Sequence, residues 1–138
     1  MIEQTTRYGI SVSVPLPYDV ALERTRTALA AEGFGVLTEI DLRATLKKKL
    51  DVDFRPYTIL GACNPPLAYQ AVLAERDIGL LLPCNLIVYA GDSAGTSVVA
   101  AMDPVQALQL TGRDDIAALA TEVRIRIERV LAAIERDA

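Results

Sequence analysis

Two cysteines are the residues of this chain best suited to chemistry. Cys63 sits in Gly61-Ala62-Cys63-Asn64-Pro65, and Cys84 sits in Leu82-Pro83-Cys84-Asn85-Leu86. Each is followed by asparagine. A thiolate is a nucleophile and a soft-metal ligand. A close pair would bind a soft metal, carry sulfur or switch redox state. Asn64-Pro65 also reads as a helix start, with a capping residue before proline at the first helical position. The positive end of that helix would favour thiolate at Cys63. The packing alternative stands beside this reading, because free cysteine is among the most buried residue types. Two thiols supply half a zinc shell, and a dimer would supply four only if the two sites faced each other across its axis. A structural disulfide does not suit a reducing cytosol.

The asparagines divide in the same way. Asn64 caps the helix, and Asn85 suits a turn or a backbone hydrogen bond at a strand start. Together they would make a polar ligand cradle. Tyr57, Tyr69 and Tyr89 read as core-edge residues with wet hydroxyls. Glu39 and Asp41, two apart, share a face of an extended strand. Such a pair suits acid–base work or a hard cation, although Asp41 equally suits a helix cap. Gly33 and Gly35 do not make a phosphate loop. The chain has no histidine. That removes Ser-His-Asp and Cys-His catalysis and the HExxH zinc site together. No motif calls for a cofactor, and the catalytic set is empty.

The elements that position these residues are legible from periodicity. Residues 7 to 14 alternate, with Tyr8, Ile10, Val12 and Val14 on one face. A helix follows from about Asp19 to Glu32, stopped by Gly33. Phe34 to Ile40 alternates again, and Asp41 then caps a short helix carrying Leu42, Leu46 and Leu50. A third strand runs from about Tyr57 to Cys63. The helix begun at Asn64-Pro65 reaches about Glu75, with Leu67, Ala68, Ala71 and Val72 inward. Cys84 opens the next strand, Leu86 to Ala90, and Gly91 to Gly95 turns it into Thr96 to Met102. A short helical turn fits Val105 to Leu110. The last helix runs from about Gly112 to Arg136, with a capping box from Thr111 and Asp114. Its stripe is Ile116, Leu119, Ala120, Val123, Ile127, Val130 and Ile134. This order predicts an α+β fold: an antiparallel or mixed sheet of about five strands, helices on one face and a long C-terminal helix.

At 138 residues the chain is sized for a single domain, residues 1–138, that needs no staple. Apolar residues make up 51% and mean hydropathy is +0.27. That surplus suits a dense core, an oligomer interface or both. Net charge is −4. Lys47-Lys48-Lys49 is the only basic run, and with 5% aromatics it does not build a nucleic-acid surface. The longest apolar run is far too short for a membrane span. The N-terminus has no basic region followed by an apolar stretch, so a cytoplasmic location is expected.

Three segments together resemble a known family. They are Glu32 to Asp41, Tyr57 to Pro65 and Gly79 to Tyr89, and their order and spacing are similar to the domain of unknown function 302 family. The likeness runs from about Tyr8 to Ile134. It implies a small α+β domain resembling the TATA-binding-protein-like (β-α-β4-α) outline, and often a homodimer. It implies no activity and carries over no catalytic residue. The expected function is therefore a non-enzymatic binding or interaction domain acting as a homodimer, with no nucleic acid or membrane as partner. The alternative is a dithiol protein using Cys63 and Cys84, its sulfurs near one another at one rim of the sheet.

Overall fold

A computed structural model describes all residues, 1–138. Five strands carry the fold: β1 (Gly9–Val14), β2 (Gly35–Asp41), β3 (Tyr57–Cys63), β4 (Cys84–Ala90) and β5 (Ser97–Met102). The helices are α1 (Tyr18–Ala31), α2 (Leu42–Leu50), α3 (Pro65–Ala74), α4 (Pro104–Leu108) and α5 (Asp114–Arg136). The sheet order is β1-β5-β4-β3-β2, and every neighbouring pair is antiparallel. The fold class is α+β, as the residue pattern predicts.

Local chemistry sets most boundaries. Pro15 and Pro17 end β1, and α1 begins without a side-chain cap, Asp19 lying in its first turn. Gly33, at φ +84°, takes the left-handed turn that ends α1. Asp41 caps α2 by accepting from Ala44 N at 2.9 Å. Asn64 caps α3 by accepting from Leu67 N at 3.4 Å. The expected capping box at Thr111 does not form. Gly112 takes φ +64°, the helix starts at Asp114, and Thr111 Oγ1 accepts only from Arg113 N. A 3-10 turn, Arg76–Leu81, separates α3 from β4.

Pleat alternation gives the sheet two unlike faces. One is covered by α1 and α5. Across it, Ile10, Ala101, Leu86 and Leu60 form a row, and Val12, Val99, Val88 and Thr58 form the next. These side chains are buried, and α5 adds Ile127, Val130, Leu131 and Ile134. A second, smaller cluster holds Ala71, Ile78, Leu108, Ile116 and Ala120.

The opposite face has no helix of α1 or α5 upon it. One row crosses all five strands: Ser11, Ala100, Ile87, Ile59 and Ile40. The adjacent row is Ser13, Val98, Tyr89 and Tyr57. No charged side chain stands in either row.

Three expectations need correction here. Tyr8 does not share the buried face of β1, since it is 67% exposed and precedes the strand. β2 forms where its alternation predicts, but no residue of it is buried, because it is the sheet's edge. Val72 of α3 faces outward and is exposed.

Candidate ligand site

Two short-range rules place Cys63 and Cys84. Antiparallel pairing of β3 and β4 brings the end of one beside the start of the other, and Ala62 lies directly opposite Cys84. Cys63 is one residue further on, opposite Gly35 of β2. The rim is therefore shared. The sulfurs are nevertheless not close, and the expected adjacent pair does not form. Cys63 stands one residue beyond the Ala62–Cys84 pair, in register with Gly35 of β2. Both thiols are free. Burial pushes the Cys84 thiol up to about 11, with the neighbouring Cys63 adding to the effect. Burial thus favours the neutral thiol at Cys84. No three side chains of Cys, Asp or Glu converge anywhere in the chain as a metal shell would require.

The asparagines also part company. Asn64, 7% exposed, stands at the start of α3 on the helix-covered side. Asn85 follows Cys84 and so points to the open face, where it shares a shallow groove with Tyr8, Ile87 and Tyr89. A cradle built from both amides is not assembled. Glu39 and Asp41 are also committed to structure. Glu39 pairs with Arg26 of α1, and Asp41 caps α2.

The structure does gather three of the four sequence-selected residues around one cavity. Cys63, Asn64 and Cys84 line a space of about 320 Å³ between the β3–β4 rim, α3 and α5. Its other walls are apolar and include Phe34, Leu67, Ala71, Leu108 and Val123. Phe34 and Ala62 belong to the larger core cluster, Ala71 and Leu108 to the smaller. The cavity lies where the two clusters fail to close on each other. Leu37, 66% exposed, stands at its edge. The pairing of β2 with β3 skips this residue, between Val36–Ala62 and Thr38–Gly61. A β-bulge of this kind re-aims a side chain, and no periodicity rule would have found it.

On the open face the aromatics form an ordered set. Tyr57 and Tyr89 stack at 5.4 Å between ring centroids, and Phe54 lies 6.1 Å from Tyr57. Arg55 reaches over Tyr89 and pairs with Asp92 at 2.9 Å. Burial, with Tyr89 and Tyr8 contributing, raises the Tyr57 phenol above its ordinary value.

Fold and family agree. Residues 10–134 match the family described as domain of unknown function DUF302, and the chain belongs to that family. Among solved structures it is similar to the crystal structure of an uncharacterized conserved DUF302 protein from Bacillus stearothermophilus. The identity is 27%, the TM-score 0.85, and the match covers 94% of this chain and 99% of that one. No protein with curated function matches the chain. No helix is long and apolar enough to cross a membrane.

Proposed function

We propose that this chain is a non-enzymatic binding or interaction domain that acts as a homodimer, its two copies meeting through the open faces of their sheets. The observation that carries the reading is the composition of that face. An antiparallel sheet that faces water normally alternates apolar-in with polar-out. Here the outward rows hold Ile40, Ile59, Ile87, Val98, Ala100 and the Tyr57–Tyr89 stack, with no charge among them. Five strands about 4.8 Å apart and about six residues long give roughly 480 Å² of plane. The apolar rows fill part of that plane, within the roughly 300–600 Å² of a monomer's largest apolar patch, which is often functional.

The occupant is a second copy because of charge. A two-fold interface sets one patch against itself, so a charged patch would oppose like charges. The strand rows carry no such penalty, and the cation beside them, Arg55 over Tyr89, is already paired with Asp92. The exposed Phe54 and Tyr8 supply aromatic rim residues of the kind interfaces favour. The dithiol alternative has no geometric support beyond the shared rim, given a neutral Cys84 and no third ligand.

Ile87 is the central position of the five-strand row. Native mass spectrometry of Ile87→Lys is the test. The expected result is a dimer for the parent protein and a monomer for the variant, both with the same circular dichroism. A variant that stays dimeric at equal concentration would move the interface off this face.

A further inference from the structure

We infer that residues 42–56, α2 and the loop after it, form an arm that docks in a groove on a second copy of the chain. This rests on the homodimer proposed above and names the contacts that complete it. No residue from Leu42 to Pro56 is buried. A nine-residue helix is marginal alone and owes its stability to the packing of an apolar face. Leu42, Leu46 and Leu50 give α2 such a face at four-residue spacing, and Leu50, Val52 and Phe54 are exposed along the arm. None of these residues belongs to either core cluster. The far end of the arm lies against the open sheet face, where Phe54 meets Tyr57 and Arg55 covers Tyr89.

Area points to the partner. The whole strand plane is about 480 Å² per copy, whereas a stable pair covers about 800 Å² on each partner. The missing area must lie beside the strand rows. The arm leaves one corner of the sheet, between Asp41 at the end of β2 and Tyr57 at the start of β3. At the diagonally opposite corner, Thr6, Tyr8, Asn85, Ile87 and Met102 line a groove of about 350 Å³ on the same face. Gly9, in register with Met102, adds no side chain to fill it. Charge then selects the symmetry. α2 carries Arg43, Lys47, Lys48 and Lys49 and no carboxylate, and only Lys47 of the four has an ion-pair partner. A two-fold axis along the diagonal through the arm sets arm on arm and opposes these cations. An axis along the other diagonal lays each arm over the partner's groove. The strands of the two sheets then cross near a right angle, one of the two ways in which sheets pack.

Cross-linking in a Cys63→Ser background tests this on the full chain. Cys84 stays in place, since it is buried. Thr6→Cys and Val52→Cys stand at opposite corners, so their thiols do not meet within one chain. With a short bismaleimide, the double variant is expected to give a covalent dimer and each single variant none. A covalent dimer of Val52→Cys alone would place arm on arm and overturn the inference. No covalent dimer from the double variant, while native mass still shows a dimer, would overturn the arm and leave the homodimer standing. A parent protein that is monomeric by native mass would overturn both. Asn85→Trp fills the groove from an exposed position. It is expected to raise the dimer dissociation constant at least tenfold, and an unchanged constant would overturn the groove. Binding of the parent chain to anionic phospholipid vesicles with loss of the dimer would instead assign the basic helix to a membrane surface.

Discussion

Asn64 shows how much a single residue can be made to do. Its side chain closes the first turn of α3, and the residue lines an apolar cavity. The cap was legible because it depends on residues three apart. The cavity was not, because it needs α3, α5 and two strands at once. Cys84 makes the same point in reverse. Its sequence context suggests reactivity, and burial favours its neutral thiol. Its folded pKa of about 11 exceeds the ordinary value of 9.0. A raised thiol pKa gives stability that is complete below about pH 9 and lost as pH rises through about 11. Two units correspond to about 2–3 kcal/mol. Urea unfolding from pH 8 to 11 is expected to show a fall of that order, smaller by the same amount in Cys84→Ala. Equal slopes in both proteins would refute the burial argument. Asp103, with a side chain only 1% exposed, caps α4 and meets Arg124 at 3.0 Å. Arg124→Ala leaves that carboxylate without its cation. A loss of about 2–3 kcal/mol in urea unfolding is expected, discounted because Arg124 is a third exposed.

Elements follow the residue pattern closely where burial is one-sided. The stripe of α5 is met by burial at Ile116, Ala120, Ile127, Val130 and Ile134. Ile127→Ala is expected to cost about 3 kcal/mol, from lost transfer energy and a new cavity. Val123, half-buried and already facing open volume, is expected to cost under half as much. Matching losses at the two positions would contradict this placement of the cavity. β2 shows the limit of periodicity. Alternation located the strand, yet it cannot tell an edge from a centre, so Phe34 alone of its neighbourhood is buried. Gly61 records a constraint of the same region. A Cβ there would collide with Thr38 Oγ1 and come 2.9 Å from Pro83 Cγ. Gly61→Ala is therefore expected to lose about 1–3 kcal/mol and to disturb β2 pairing, read by amide exchange in Gly35–Asp41. Unchanged stability and exchange would show that the strands yield freely.

The whole molecule turns on sheet register, which a single sequence does not display. Strand parity was readable from alternation. Strand order and the one-residue offset between Cys63 and Cys84 come only from the pairing of β2, β3 and β4. The same register turns scattered apolar residues from β2, β3, β4 and β5 into rows without a charged member. The apolar surplus at 51% pointed to an interface without saying where it lies. Sedimentation equilibrium of the unmodified chain at micromolar concentration tests the central claim most directly. The account expects twice the chain mass of 14.9 kDa. A species of 14.9 kDa at every such concentration would contradict it.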